Sequence, residues 1–304
     1  MTTHGRAVPF NGITGAMASA LDASSTRGLV ATVVAVGPME RLESAAATLE
    51  KLGDAGTVRG ILISEGDDAA PQPYVSGNTV RLNGLKPSYT DNAVAALRLS
   101  SLPTLVWWRG GRLEMLDGLA DLADRIVLDE DEPEAAWRRA MGLFDESAFT
   151  DVRWARLTQW RALMAQFFDI PEVRAACANF TRLRIVARDQ LSARLFAAWL
   201  SSSLQTAPGF AVDIARGGLD SPIEEVRLGD GEQELALRLA GGRACLETAV
   251  AVTGHRRVSR VVSMHREDIS EVLTGELRIR SRDEPFERTL RSLMGAEAEA
   301  LPIG

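Results

Sequence analysis

The sequence is poor in the residues that most often carry catalysis or hold metals. Its 304 residues include two cysteines, Cys177 and Cys245, and three histidines, His4, His255 and His265. The cysteines are far apart and form no CxxC pair, which excludes the common metal-knuckle and thiol-redox motifs. Patterns of the HExxH, GxSxG and zinc-deaminase types are also absent. We therefore expect a cytoplasmic protein with two isolated thiols, no catalytic residues, no metal and no cofactor.

Long apolar runs and lysines are scarce as well. The longest strongly apolar runs, such as residues 28–37, fall well short of the roughly 20 residues that a membrane helix needs. Lys51 and Lys86 are the only lysines among 34 basic residues. The arginine excess could supply bidentate anion contacts or could reflect codon usage alone, so it does not by itself predict a phosphate site. With 41 acidic residues the net charge is −7, and we expect neither a membrane nor a nucleic acid as partner.

What the sequence does contain is the patterning of a globular α/β protein. Apolar residues make up 46% and charged residues 25%, and the length suits two domains. In the first half, strand patterns alternate with helical ones, which predicts a Rossmann-like, mainly parallel sheet. An acidic stretch, Asp129–Pro133, ends the last of these strands and starts a helix. The first strand-to-helix turn, Gly37-Pro38, lacks the further glycines of a dinucleotide fingerprint, so this layout does not imply a dinucleotide.

The second half has the pattern of an α+β domain. A strand at 180–186 and a helix at 189–204 precede five strand patterns, with hairpin signals at Asp230-Gly231 and Gly241-Gly242. Successive hairpins indicate antiparallel strands. We therefore predict four segments in the chain: a flexible arm or short helix at 1–26, a Rossmann-like domain at 27–146, a bridging helix at 147–170 and an α+β domain at 171–304.

Two phrases that set an arginine directly behind a tryptophan hold four of the six tryptophans. The first, Leu102–Gly111, places Trp107, Trp108 and Arg109 at the carboxyl end of a central strand, where parallel sheets bind ligands. One interpretation is an edge pocket with tryptophan walls, in which Arg109 or Arg112 faces an anion. The other is that both indoles fill the space between sheet and helix while the arginine points to water.

The second phrase, Trp154–Arg161, opens a helix that extends to Phe168. At about 100° per residue, its apolar side chains cover roughly half of the circumference, which is wider than one surface helix needs. We therefore predict a helix wedged between two domains, with contact to a partner or ligand as the alternative. Arg161 lies inside the apolar arc, so it should need a carboxylate or several carbonyls.

Together these phrases resemble the glucose-6-phosphate dehydrogenase assembly protein family, OpcA. The matching stretches keep their order along most of the chain: Leu102–Gly110, Leu122–Asp129, Trp154–Leu163, Ala193–Leu200 and Glu276–Leu290. Gln159 departs from the family pattern, in which proline is expected at that position. The arm before Thr26 also matches poorly.

The resemblance implies a non-enzymatic cytoplasmic protein that binds glucose-6-phosphate dehydrogenase and promotes its active oligomer, as an allosteric activator in the oxidative pentose phosphate pathway. The candidate contacts to a partner or ligand are Trp107, Trp108, Arg109, Arg112, Trp154, Thr158, Trp160 and Arg161. Two alternatives stay open. One is a phosphosugar- or nucleotide-binding enzyme with a strand-end pocket near Arg109, and the other is a scaffold for a different metabolic enzyme.

Overall fold

The chain divides into two units, and each is built around a β-sheet of its own. The computed structural model describes residues 6–13, 15, 28–54, 58–204, 210–219, 221–240, 245–279 and 281–300. The first unit comprises Met1–Val152 and Glu267–Asp283, and the second comprises Arg153–Arg266 and Glu284–Gly304. Residues 267–283, which the sequence placed in an α+β domain, thus pack within the first unit. Most of the predicted arm at 1–26 lies outside the described residues.

The first unit is built on an eight-stranded sheet. Its strands are β1 (Arg6–Ala7), β2 (Ala31–Gly37), β3 (Val58–Asp68), β4 (Pro73–Ser76), β5 (Thr79–Leu85), β6 (Thr104–Trp108), β7 (Arg125–Leu128) and β8 (Ala148–Asp151). Their order across the sheet is β1-β4-β5-β3-β2-β6-β7-β8. Six neighbouring strands are parallel, in the spatial order β5-β3-β2-β6-β7-β8, which is the 3-2-1-4-5-6 order of a doubly wound Rossmann sheet. Strands β4 and β1 add antiparallel at one edge. The predicted Rossmann-like fold of this half is confirmed.

Helices connect these strands where the sequence pattern changes period. They are α1 (Met39–Asp54), α2 (Thr90–Leu97), α3 (Glu114–Ala120) and α4 (Glu134–Met141). Helix α1 begins after Pro38, whose fixed φ suits a helix start. It presents Leu42, Ala45 and Leu49 to the buried side chains of β2, β3 and β6. Strand β2 is buried along its whole length, which explains its unbroken apolar and β-branched sequence.

The second unit combines helices with a six-stranded sheet. Its helices are α5 (Val152–Arg156), α6 (Thr158–Phe167), α7 (Pro171–Ala176) and α8 (Gln190–Leu204). The strands are β9 (Arg182–Ala187), β10 (Ala211–Arg216), β11 (Ile223–Gly229), β12 (Glu234–Ala240), β13 (Cys245–Ala251) and β14 (Val258–Ser263). They lie in the order β10-β9-β11-β12-β13-β14.

Pairing in this second sheet is mixed. Strands β9, β11, β12, β13 and β14 pair antiparallel, as predicted, and Asp230-Gly231 lies between β11 and β12. Strand β10 instead pairs parallel to β9. Helix α8 lies between them in the chain and forms the crossover connection that a parallel pair needs. The Gly241-Gly242 signal lies outside the described residues.

The last two helices belong to different units. Helix α9 (Ile269–Glu276) joins the first unit, where Leu273 enters the core formed by α1 and β2. Helix α10 (Glu284–Ala300) packs beside α8 in the second unit. No helix within the described ranges combines the length and the apolar character needed to cross a lipid bilayer.

Helix α9 starts with a complete capping box. The Asp268 side chain accepts from the Glu271 backbone N–H at 3.0 Å, and the Glu271 side chain accepts from the Asp268 backbone N–H at 2.8 Å. Ser270 Oγ also donates to Asp268, and Lys51 Nζ lies 3.0 Å from its other oxygen. The hydrogen bond from Ser270, then that from the Glu271 N–H, then Lys51, lower the pKa of Asp268 well below its ordinary value.

This capping carboxylate should make the stability of the first unit depend on pH. A carboxylate whose pKa is depressed in the folded state stabilises that state at pH values above its unfolded pKa of about 3.9. This stabilisation is lost as the pH falls towards the folded pKa. Denaturant titrations should therefore show Asp268→Ala to be destabilised relative to the parent at neutral pH, with the difference shrinking in acid. Asp268→Asn, which keeps a capping oxygen without the charge, is the matched control. If the difference in free energy of unfolding between the parent and Asp268→Ala stays constant with pH, this role is contradicted.

Candidate functional site

The first tryptophan-arginine phrase ends strand β6 at the switch point of the Rossmann sheet. Strand β6 lies between β2 and β7, so its carboxyl end borders the crevice where doubly wound sheets bind ligands. Trp107 and Trp108 are 1% and 0% exposed. Neighbouring side chains of a strand point to opposite faces, and Trp107 belongs to the core on the α1 side. The two indoles therefore do not form a common exposed wall.

Both indole N–H groups donate to the acidic loop that follows β7. Trp107 Nε1 donates to Asp129 Oδ2 at 2.9 Å, and Trp108 Nε1 donates to Glu130 Oε1. The backbone N–H of Asp129 donates to the Trp108 carbonyl at 2.8 Å. Because β6 and β7 are parallel neighbours, the loops after them start at the same edge of the sheet. The acidic stretch that follows β7 thus accepts the hydrogen bonds of both indoles at the end of β6.

Arg109 lies over Trp107 and is held by the protein's own groups. Its guanidinium carbon is 4.6 Å from the Trp107 ring centroid, and its Nε is 3.3 Å from Asp129 Oδ2. Its Nη1 donates to Ser44 Oγ at 2.6 Å and to the Arg41 carbonyl. Burial lowers the pKa of Arg109, while the charge of Asp129 raises it. With its side chain only 16% exposed, Arg109 does not point freely into water.

Two further arginines at this edge have carboxylate partners. Arg41 pairs with Asp131. Arg112 Nε lies 2.9 Å from Glu65 Oε1, and the Arg112 backbone N–H donates to Glu65 Oε2 at 3.1 Å. The Arg112 side chain remains 64% exposed, so it is the most accessible of the arginines in the first phrase and its surroundings.

The edge is narrow where a dinucleotide would approach the sheet. A Cβ on Gly37 would lie 3.0 Å from Arg109 Cβ, and the Arg109 backbone N–H donates to the Val36 carbonyl at 2.7 Å. The Arg109 side chain then crosses the first turns of α1 to reach Arg41 and Ser44. In dinucleotide-binding Rossmann units, the N-terminus of this helix receives the pyrophosphate. Here a side chain of the protein lies there instead.

The second tryptophan-arginine phrase is divided between two helices. Helices α5 and α6 meet at Leu157, whose φ of −85° and ψ of −1° interrupt the single helix predicted from the sequence. Trp154 and Trp160 are each 1% exposed, and the Trp154 ring lies 5.6 Å from that of Phe286. Thr158 is exposed at the start of α6.

Arg161 stacks on Trp154. Its guanidinium carbon is 3.4 Å from the ring centroid, and its Nη2 donates to the Trp154 carbonyl and to Thr158 Oγ1, both at 3.1 Å. One of the expected carbonyl partners is therefore present, and an aromatic face supports the charge as well. The predicted wedge between domains stays a prediction, as do the partner contacts of both phrases.

Sequence reasoning missed the residues that complete these arrangements. Asp129 and Glu130 were predicted only as part of a strand end and helix start, and Arg41 was not predicted at all, although all three contact the first phrase. In the second unit, Arg153 Nε pairs with Asp189 Oδ2 at 3.1 Å, a partner that was also missed. A usable signal was present for the first group, because loops that follow neighbouring parallel strands meet at one edge.

The described residues offer little catalytic chemistry. They contain no group of three or more His, Cys, Asp or Glu side chains that could hold a metal ion. His255 Nδ1 lies 3.9 Å from Glu172 Oε2, and Cys177 and Cys245 are free thiols of intermediate burial. His4 lies outside the described residues.

Fold and site define the class of this protein: a Rossmann-like α/β unit, whose switch-point edge is filled by its own arginines and carboxylates, combined with an α+β unit. A solved structure of similar fold is the transcriptional regulator Gal80p of Kluyveromyces lactis. It has a TM-score of 0.50 and 6% sequence identity, with 95% of each chain covered. This likeness concerns the fold alone.

Sequence comparison matches a large part of the second half of the chain to a known domain family. Residues 147–290 match the family model for the C-terminal domain of a glucose-6-phosphate dehydrogenase subunit. Over 124 residues, the chain is 29% identical to the "Putative OxPP cycle protein OpcA" of Synechocystis sp. and to that of Nostoc punctiforme. These matches cover 38% of this chain but only 26% and 27% of the two relatives. They support the predicted resemblance to the OpcA family.

Proposed function

We propose that this chain is a non-catalytic assembly factor and allosteric activator of glucose-6-phosphate dehydrogenase, acting in the cytoplasm in the oxidative pentose phosphate pathway. The observation that carries the proposal is the match of residues 147–290 to a domain family named for a subunit of that dehydrogenase. The names of the two curated relatives, which refer to the OxPP cycle, support the same pathway.

The chemistry of the switch point supports a binding role over a catalytic one. A nucleotide phosphate at the start of α1 would have to displace Arg109 from Ser44 and compete with Asp129 for the positive charge of Arg109. Both changes break contacts that hold a largely buried guanidinium in place, and each broken charged contact costs about 1.5–3 kcal/mol. The Rossmann-like unit is therefore proposed to serve as a scaffold.

The candidate contact residues divide by exposure into two groups. Four are buried and would act by positioning the arginines beside them: Trp107, Trp108, Trp154 and Trp160. Arg112 and Thr158 are exposed, and Arg109 and Arg161 are partly so. We therefore assign direct contact with the dehydrogenase to Arg112 and Thr158 first. Arg112 can exchange Glu65 for a carboxylate of the partner at little cost, because exposed ion pairs contribute only about 0–1 kcal/mol.

Activation then follows from linkage. A protein that binds the active oligomer of the dehydrogenase more tightly than its inactive form raises the population of the active form by the ratio of the two affinities. A difference of about 1.4 kcal/mol is enough for a tenfold shift. This mechanism needs no reacting group on the present chain.

Reconstitution with the purified dehydrogenase of the same organism tests the proposal. We expect co-elution in size-exclusion chromatography with light scattering, a shift of the dehydrogenase towards a larger oligomer, and a rise in its kcat/KM for glucose 6-phosphate. Arg112→Ala should weaken the complex about tenfold, as for a moderate interface contact. Arg139→Ala, which breaks a comparably exposed pair with Asp117, is the matched control and should leave binding unchanged. No co-elution together with unchanged oligomer and kinetics would refute the proposal.

A thermal-shift series without the dehydrogenase separates this role from an enzyme with a strand-end site near Arg109. Glucose 6-phosphate, NADP and 6-phosphogluconate should each leave the melting temperature of the isolated chain unchanged. A saturable increase with any of them, lost in Arg109→Met, would favour the enzyme. Co-purification of a different metabolic enzyme from native lysate, in place of the dehydrogenase, would instead indicate a scaffold for that enzyme.

A further inference from the structure

The six-stranded sheet of the second unit has one covered face and one accessible face. Side chains alternate along each strand, and the covered face is buried at Leu183, Ile185, Val226, Leu235, Leu237 and Leu246. The intervening side chains of β9, β11, β12 and β13 are almost all half-buried or exposed. We call this second set the open face.

Strand register arranges the open face in rows that cross the sheet. In the middle row the order from β9 to β13 is Arg184, Arg227, Ala236, Ala249. The row on one side reads Arg182, Gly229, Glu234, Ala251, and the row on the other side reads Val186, Glu225, Arg238, Glu247. Long arginines therefore crowd the β9–β11 half, and the same rows carry alanines on the β12–β13 half.

The inner positions of each row, on β11 and β12, are complementary to their own reverse. A second copy of a row can be turned end for end about the midpoint between β11 and β12 and laid over the first. In the middle row, Arg227 of one copy then faces Ala236 of the other, and Arg184 faces Ala249. In the flanking rows, Glu225 faces Arg238 and Gly229 faces Glu234. Large side chains thus meet small ones, and unlike charges meet each other. Rotation about a two-fold axis that runs along the strands, between β11 and β12, performs this operation on two copies of the face.

We propose that the open face joins two copies of this chain in a homodimer, sheet against sheet, about that axis. An isologous interface must be complementary to itself, and the positions of the reversed rows nearest the axis meet this condition in size or in charge. A surface meant for a different partner has no need of such internal symmetry. This proposal is independent of the one concerning the dehydrogenase.

The geometry of packed sheets allows these contacts. Stacked sheets lie about 10 Å apart, with strand directions within about 30° of each other. That angle moves the outer ends of the rows relative to each other, so the contacts nearest the axis decide the fit. These involve Arg227, Ala236, Glu225 and Arg238, where the match is best. Towards the edge of the sheet, Val261 of β14 is 65% exposed, and the same rotation brings it over Ala215 of β10.

The charges of the open face nearest the axis are already paired within one copy, which lowers the cost of covering them. Arg227 Nη2 donates to Glu225 at 2.7 Å, and Arg238 Nη2 donates to Glu247 at 2.7 Å. The hydrogen bond from Arg238, followed by that from Ser259, lowers the pKa of Glu247. Paired ions lose less on desolvation than isolated ones. With strands about 4.8 Å apart, the flat footprint is about 500 Å² per copy, compared with the roughly 800 Å² per partner of a standard interface.

The mass of the chain in solution is the first test. Light scattering should give twice the 32.8 kDa of one chain, without any dehydrogenase present. Ala236→Arg places a like charge and added bulk against Arg227 of the second copy, and should raise the dimer dissociation constant about a hundredfold. Ala165→Arg, on the exposed side of α6, is the matched control and should leave the dimer intact. A monomeric parent, or equal dissociation constants for the two variants, would overturn the proposal.

A mixing experiment separates association from folding. Glu225→Arg alone faces Arg238 of the second copy, and Arg238→Glu alone faces Glu225, so each variant should be monomeric by itself. Mixed in equal amounts, the two variants restore an arginine-glutamate pair at both symmetric contacts and should form a dimer. Pairing within each chain stays disrupted in the mixture, so recovery can come only from contacts between chains. Variants that remain monomeric when mixed, with melting temperatures near that of the parent, would exclude the two-fold arrangement.

Discussion

Glu276→Ala is expected to lower the free energy of unfolding of the first unit by about 3–5 kcal/mol, the usual cost of removing one partner from a buried ion pair. Arg125 Nη1 lies 3.0 Å from Glu276 Oε2, and the two side chains are 4% and 10% exposed. Arg125 Nη2 also donates to the Ser281 carbonyl. The substitution leaves a guanidinium deep in the protein without this counter-charge. In calorimetry, the transition of the first unit should move down by about 10 °C or more.

Two comparisons show whether charge or packing is responsible. Arg125→Met combined with Glu276→Met removes both charges and keeps most of the volume, so it should recover much of the lost stability. Arg139→Ala breaks the exposed pair with Asp117 and should leave the free energy of unfolding nearly unchanged, because exposed ion pairs contribute little. A Glu276→Ala variant no less stable than Arg139→Ala would show that the pair does not hold residues 267–283 against β7.

This pair illustrates what the sequence could not predict. Arg125 sits in a four-residue strand, and Glu276 ends a helix that the chain order assigned to a different domain. Neither residue shows a local pattern that points to the other, because hydrophobic periodicity reports only which face of an element is buried. The contact exists because Glu267–Asp283 returns to the first unit after more than a hundred residues spent elsewhere.

Elements with strong local signals were predictable. Strand β2 has a continuous β-branched run, and helix α1 has a proline start and three- and four-residue apolar spacing, so local pattern alone indicates both elements. The candidate site was predictable only in part. The alternation of strand and helix patterns indicates that Trp107 and Trp108 lie at a strand end. Their acidic partners lie in the loop after β7, and the sequence pattern does not show that β6 and β7 are neighbours. The break at Leu157 was also invisible, because no proline or glycine marks it.

Trp154→Ala is expected to have the largest effect of any single change in the second phrase, a loss of about 3–5 kcal/mol in the free energy of unfolding of the second unit. The ring is 1% exposed and packs against Phe286 with centroids 5.6 Å apart. Its removal leaves a cavity and takes away the surface on which the Arg161 guanidinium lies at 3.4 Å. Part of the loss is therefore electrostatic, since a cation over an indole gains about 0.5–2 kcal/mol.

The matched variants divide these two contributions. Trp154→Phe keeps an aromatic face under Arg161 and fills part of the cavity, so it should lose less than half as much stability. Thr158→Ala removes one hydrogen bond from Arg161 at an exposed position and should cost about 1 kcal/mol or less. If Thr158→Ala weakens binding of the dehydrogenase while the melting temperature stays near that of the parent, this end of α6 contacts the partner directly. If Trp154→Ala alone weakens binding, and only in proportion to its loss of folded protein, the second phrase is a structural anchor.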